Sequence, residues 1–156
     1  MATTTNLSIT KLNSSDYVSV DPINEALDTL DKLGVDYVTA SGTSGEWWYR
    51  KWKSGRAECG IDNKNFGTVA ITTGWGALFS SENNMTFGAY PFSFSSKPFV
   101  TITFNGSKSG DQSQQSYTAC AASVSTTTSP TFRLIDPYSG THDDCQCGIY
   151  VCGAYK

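Results

Sequence analysis

Apolar and polar residues alternate through much of the chain from residue 46 onward, which predicts strands with one buried face. The clearest case is a hairpin, with a strand from Glu46 to Trp52, a short turn at Lys53-Ser54-Gly55 and a return strand. Trp47 and Trp48 are adjacent, so we expect one indole in the core and the other at the surface or at a subunit interface. Since large aromatic rings usually fill cores, we also expect at least two of the three hairpin tryptophans to pack there. The return strand should bury one face, formed by Ala57, Cys59 and Ile61.

Turn-forming residues divide the rest of the chain into further short strands. We predict breaks at Gly74-Trp75-Gly76, Ser125 to Pro130 and Asp136 to Gly140, and a mobile loop from Asn105 to Ser116. No helical pattern separates the strands, so an antiparallel β-sandwich or jelly roll is favoured over a parallel sheet. The predicted strands are Phe66 to Thr73, Met85 to Tyr90, Phe99 to Phe104, Tyr117 to Val124, Thr131 to Ile135 and Gly148 to Tyr155.

One helical pattern precedes the β region. Asp21 is a suitable N-cap, Pro22 a suitable first helical residue, and Gly34 a suitable residue after the helix end. A helix this short is marginal alone, so its apolar stripe must pack on something. A bundle between copies of the chain and packing on the chain's own β domain both fit. The stripe consists of Ile23, Ala26, Leu27, Leu30 and Leu33.

The chain should therefore have two regions. Residues 1–40 would form an N-terminal arm and the helix, and residues 41–156 a β-sandwich domain. The boundary is suggested by Ala40 to Gly45, a run of small and polar residues typical of a flexible turn. The expected fold class is mainly β, with one short N-terminal helix.

Composition narrows the classes of function. The net charge is −3 and the sequence pI about 5.0, without a basic stripe, so nucleic-acid binding is not expected. Met1 to Ser14 lacks the basic and apolar regions of a signal peptide, and no apolar run has the length of a membrane span. We expect synthesis in the cytoplasm and no membrane insertion.

The chain has five cysteines, and an odd number without a signal peptide argues against a disulfide framework. We expect reduced thiols. His142, Cys145, Cys147 and Cys152 are residue types that bind zinc, but the Cys-x-Cys spacing and the single histidine fit a zinc site poorly. We therefore expect no metal.

Motifs for catalysis are missing from the sequence, which has no Gly-rich phosphate loop, nucleophile elbow or metalloprotease helix. A pair of carboxyl groups can hydrolyse a glycosidic bond, and the candidates for such a pair are Glu46, Glu58, Asp143 and Asp144. Asp143 and Asp144 would point to opposite faces of a strand, so a solvated acidic turn is the simpler interpretation. We expect no enzymatic activity and no cofactor, with a glycan depolymerase as a weaker alternative.

Residues 46–60 of the hairpin resemble a known segment. Their sequence, Glu-Trp-Trp-Tyr-Arg-Lys-Trp-Lys-Ser-Gly-Arg-Ala-Glu-Cys-Gly, is similar to one in tail-tip and minor structural proteins from bacteriophages and prophages of Gram-positive hosts. Gly60 stands where a second tryptophan is usual in that segment, so one packing contact of the family is expected to be missing.

A second set of residues resembles the C-terminal head of phage tail-fibre proteins. The two resemblances together imply a virion component at the tail tip that contacts the host. They also imply a homotrimer, with N-terminal helices on the threefold axis and an N-terminal arm that binds other tail or baseplate proteins. The second set is Tyr90 to Phe94, Lys97 to Val100, Ser125 to Thr127, Phe132 and Gly148 to Lys156.

Two classes of function remain open. One is a host-recognition head that binds a cell-surface saccharide without catalysis, through exposed aromatic rings. The other is a purely structural virion or baseplate part without a ligand. Trp75, between two glycines, is the best candidate for an exposed ligand-binding ring. Tyr90, Tyr117 and Tyr138 are weaker candidates, because aromatic rings more often pack inside.

Overall fold

The computed structural model describes residues 21–32, 36–108, 119–122 and 125–156. The chain divides into two units, Met1–Tyr37 and Val38–Lys156. In the described part of the chain, one helix belongs to the first unit and nine strands to the second. The elements are α1 Asp21–Lys32, β1 Val38–Ser44, β2 Trp47–Trp52, β3 Arg56–Asn65, β4 Val69–Trp75, β5 Leu78–Ser81, β6 Phe99–Lys108, β7 Ala119–Ala122, β8 Phe132–Asp136 and β9 Gly140–Ala154.

The last strand, β9, organises the second unit. It is 15 residues long and pairs antiparallel with β3, β4 and β6. Through these pairings the strands join in the order β1-β2-β3-β9-β4-β5-β8-β7, with β6 pairing to β9 outside that path. The sheet is antiparallel and not closed, which confirms the predicted fold class of a mainly β, sandwich-like head with one short helix.

β9 has an irregular point, called here the kink, between its pairing with β4, which ends at His142, and its pairing with β3, which begins at Gln146; β6 pairs on both sides of it through a register shift. Asp144 has a φ of 51°, the one positive value among the described residues other than glycine, and aspartate tolerates that conformation better than most residues. Thr68 Oγ1 donates to Asp143 Oδ1 at 2.6 Å, and Asn65 Nδ2 donates to Asp144 Oδ1 at 3.3 Å. Both aspartates therefore brace a bent strand, and the predicted acidic turn is wrong.

The irregular segment between β5 and β6 supplies much of the core. Phe87 and Tyr90 from this segment are buried. Phe87 stacks on Phe132 of β8 with 5.2 Å between ring centroids, and Tyr90 meets Trp47 of β2 edge-on at 5.6 Å. Aromatic pairs of this kind add about 0.5–1.5 kcal/mol each beyond the area they bury. The segment thus joins strands from both ends of the sheet through ring contacts.

The predicted hairpin is confirmed. β2 and β3 pair with Trp48 opposite Gly60, and Gly55 in the turn has a φ of 85°. Trp47 is 5% exposed, whereas Trp48 is half-buried on the other face, as alternation requires. The expectation of two core tryptophans in the hairpin is wrong, because Trp48 and Trp52 share the outward face. The buried face of β3 is the predicted one, Ala57, Cys59 and Ile61.

Several predicted boundaries need correction. Ala40 to Gly45 is mostly strand β1, because this stretch pairs along β2 and is not a flexible turn. Met85 to Tyr90 has a single isolated bridge, at Met85, since its aromatic rings turn into the core. The break predicted at Gly74-Trp75-Gly76 comes later, because Gly74 and Trp75 still pair in β4; the tight turn begins at Gly76, which has a φ of 63°, and leads into an unpredicted strand, β5.

The ends of β6 and β9 also differ from the predictions. Asn105 to Lys108 continues β6 through two register shifts, so the predicted mobile loop does not begin there. The rest of that loop, residues 109–116, lies outside the described residues. β9 begins at Gly140, ahead of the predicted start at Gly148. The predicted division into residues 1–40 and 41–156 stays a prediction.

The predicted helix is present as α1. Two residues of its apolar stripe are exposed, Ile23 at 45% and Leu30 at 58%. Ala26 is also exposed and Leu27 is half-buried, whereas Leu33 lies outside the described residues. No helix in the described ranges is long and apolar enough to span a membrane.

Tyr90 offers a test of the core. Its hydroxyl is buried without a hydrogen-bond partner, and burial raises the pKa of this phenol. Because an unsatisfied buried hydroxyl is unfavourable, Tyr90→Phe should raise the free energy of unfolding by about 1 kcal/mol in urea titrations. The matched change Tyr150→Phe removes a bonded surface hydroxyl and should bring no gain. A loss of stability in Tyr90→Phe would contradict this account.

Candidate functional site

The outward face of β2, β3, β9 and β6 carries a shallow groove. In one row across these strands, Trp48 lies opposite Gly60, Gly60 opposite Tyr150, and Tyr150 opposite Thr101. The groove consists of two hollows of about 290 Å³ and 500 Å³. Both hollows are lined by Trp48, Asp62 and Tyr150, so they form one continuous surface.

Gly60 allows the Trp48 indole to lie against the sheet. A Cβ at position 60 would be 2.7 Å from Trp48 Cζ2 and 2.6 Å from the carbonyl oxygen of Ile149. The space that a side chain would need is therefore taken by Trp48. The Tyr150 ring lies beside the indole, with 6.2 Å between centroids and a tilt of 40°, and it is 40% exposed. The two rings give the groove an aromatic surface.

A carboxylate fixes the Tyr150 side of the groove. Tyr150 Oη donates a hydrogen bond to Glu58 Oε2 at 2.6 Å, and Arg50 Nη1 lies 3.6 Å from Glu58 Oε1. The bond to Glu58 raises the pKa of Tyr150 to about 12, so the phenol stays protonated at neutral pH. Arg50 is well exposed, and an exposed ion pair adds little stability. Its positive charge partly offsets the charge of Glu58.

A second carboxylate fixes the Trp48 side. Trp48 Nε1 donates to Asp62 Oδ1 at 3.0 Å. β3 has a register shift between Ile61 and Lys64, and such irregularities redirect side chains. Asn105 Nδ2 donates to the Asp62 carbonyl oxygen at 3.1 Å and to Asn63 Oδ1 at 3.0 Å. The polar groups of the groove are thus held by bonds to one another.

The residues predicted to bind a ligand do not line this groove. Trp75 is 59% exposed at the end of β4, and Tyr138 is 53% exposed after β8. Tyr90 is 6% exposed and packs in the core, so its prediction as a surface ring is wrong. Tyr117 lies outside the described residues. Binding by Trp75 or Tyr138 stays a prediction, and the sequence analysis missed Tyr150.

The candidate metal residues do not meet at one point. Cys145 and Cys147 are buried thiols, whereas Cys152 is half-buried on the outward face of β9. His142 is buried, with Nε2 3.9 Å from Asp136 Oδ2. Within the described ranges, no group of three or more His, Cys, Asp or Glu side chains is arranged to hold a metal ion.

Of the four carboxylates considered for glycan cleavage, Glu58 alone lines the groove. Glu46 pairs with Lys64, while Asp143 and Asp144 brace the kink in β9. The buried thiol of Cys59 is also a poor nucleophile, because burial raises its pKa to about 12.

The fold has known counterparts. No protein-family model and no curated protein matches the chain. A P. aeruginosa R1 pyocin fibre comprising C-terminal residues 323–701 matches with a TM-score of 0.54 at 14% identity. An N-truncated R1-type pyocin tail fibre matches with a TM-score of 0.52, also at 14% identity.

The β-rich fold is similar to that of pyocin tail fibres. Each match covers 82% of this chain, but the chain spans 31% of the first fibre fragment and 95% of the second. The similarity agrees with the tail-fibre fold implied by the sequence resemblance. A Gram-positive host gains no support from these fibres.

The contact between Gly60 and Trp48 generates a prediction. Gly60→Ala should lower the free energy of unfolding by about 1–3 kcal/mol, because the new methyl group overlaps the indole and the Ile149 carbonyl. Tryptophan fluorescence should change as Trp48 is displaced. Gly74→Ala is the matched control: a Cβ there meets no atom within 4 Å, so both readouts should stay near those of the parent protein. Equal stability of the two variants would refute the packing argument.

Proposed function

We propose that the chain is a non-enzymatic tail-fibre protein of a phage, prophage or related tail-like particle, and that its β unit recognises a host-surface saccharide in the groove. The observation that carries this proposal is the pair of rings, Trp48 and Tyr150, between the carboxylates of Glu58 and Asp62. An aromatic face packs against the C–H face of a sugar, while the flanking oxygens accept hydrogen bonds from its hydroxyls. The tail-fibre assignment is supported by the fold similarity to pyocin fibres.

In this proposal the protein belongs to the virion tail tip after synthesis in the bacterial cytoplasm. The N-terminal arm attaches it to other tail or baseplate proteins. Three copies associate through α1, whose stripe has Ile23 and Leu30 exposed in the single chain. Exposed apolar residues at such spacing favour helix association, and a closed trimer would give weak saccharide sites avidity on repeated epitopes.

The groove can be tested on a glycan array and by calorimetry with a glycan that binds. Trp48→Ala should weaken binding at least about tenfold, because the main apolar contact is lost. Trp75→Ala, which removes another exposed indole, should bind like the parent. Circular dichroism checks that both variants are folded. Loss of binding in Trp75→Ala alone would move the site to the β4–β5 turn, and no glycan binding by the parent would favour the purely structural alternative.

The assembly can be tested by light scattering. The parent should have the mass of three chains of 16.9 kDa. Leu30→Asp should give monomers with a folded β unit, because three carboxylates would meet on the axis. Asp28→Lys, which alters charge away from the predicted stripe, should remain trimeric. A monomeric parent at micromolar concentration would end this part of the proposal.

The non-enzymatic part has its own measurement. Glu58 and Asp62 share the groove, which is the arrangement that a depolymerase would need. Incubation with a bound glycan should release no new reducing ends. Release that Glu58→Gln abolishes would show that the groove is catalytic.

A further inference from the structure

Three hydrogen-bond donors of the groove are already used within the protein. Trp48 Nε1 donates to Asp62, Tyr150 Oη donates to Glu58, and Asn105 Nδ2 donates to two protein oxygens. Each of these bonds is internal, so a ligand cannot use these donors without breaking them. Among the described residues that line the groove, Arg50 is the one cation; its Nη1 lies 3.6 Å from Glu58 Oε1, and its exposed guanidinium keeps further N–H donors.

Acceptors remain open to a ligand, beside hydroxyl groups that can both donate and accept. No described residue bonds to Asp62 Oδ2 or Asn105 Oδ1, and the hydroxyl groups of Thr101 and Thr103 line the same hollow. Among the described residues, the charged side chains that line the groove are Arg50, Glu58 and Asp62, which leaves one net negative charge. A ligand that bonds to Asp62 and Asn105 must therefore donate hydrogen bonds, and it must tolerate a negative site.

A sugar hydroxyl meets both conditions. An ionised carboxylate, sulfate or phosphate brings acceptors, which can bond only to the threonine hydroxyls and Arg50, and the net negative charge of the groove repels it. A neutral sugar lies with its C–H face on the aromatic rings and turns its hydroxyls toward Asp62.

We propose that the groove selects uncharged, hydroxyl-rich saccharides and rejects anionic glycans. This inference rests on the proposed saccharide-binding function and adds the chemical class of the ligand.

The test uses an array of matched pairs, in which each neutral oligosaccharide stands beside the same compound with one sulfate or phosphate, or with one hexose replaced by its uronic acid. The neutral member should bind about tenfold tighter or more. Its binding should change little between low and physiological NaCl, because no ion pair is formed with the ligand.

Asp62→Asn keeps an acceptor for the Trp48 indole but removes the charge. The ratio of the affinities for the neutral and the anionic member should then fall. Glu46→Gln is the control, because Glu46 pairs with Lys64 outside the groove, and it should leave this ratio unchanged. Tighter binding of the anionic members, lost in Trp48→Ala, would overturn the selectivity but keep the groove as the site. If no member of any pair binds the parent, the saccharide-binding function itself fails.

Discussion

Backbone pairing along β9 is the constraint on which the rest of the β unit depends. Buried backbone N–H and C=O groups need hydrogen-bond partners. Those of β9 find them in β3, β4 and β6, which all pair with it. The kink at Asp144 lies between the part of β9 that pairs with β4 and the part that pairs with β3. Beyond it, β2, β3, β9 and β6 pair side by side, and the groove lies on their outward face.

A single glycine links this framework to the candidate site. Gly60 pairs with Tyr150 on one side and Trp48 on the other, and its missing side chain is what leaves room for the indole. Core packing on the other face of the sheet holds the same part of β3 in place, because Cys59 and Ile61, on either side of Gly60, are buried. The ring geometry of the groove is therefore set by the core as much as by the groove residues themselves.

The part of the site formed by local sequence could be predicted, and the part formed by long-range pairing could not. Alternation within the hairpin is enough to place Trp47 inside and Trp48 outside. The position of Tyr150 next to Trp48 depends on the register of β3 against β9, which no local pattern contains. Trp75 was favoured because flanking glycines indicate exposure, but exposure alone brings no polar partners. Met85 to Tyr90 was predicted as a strand for a related reason: a local pattern does not show that irregular backbone can bury rings such as Phe87 and Tyr90.

A site on a sheet differs physically from a site on a turn. The groove side chains are oriented by internal bonds, such as Tyr150 to Glu58 and Trp48 to Asp62, so little side-chain entropy is left to lose on binding. Those same bonds use the indole, phenol and Asn105 amide donors and leave acceptors such as Asp62 Oδ2 open to a ligand. Pre-organisation and selectivity therefore have one origin: the bonds that hold the rings in place also decide which ligand chemistry the groove can still satisfy.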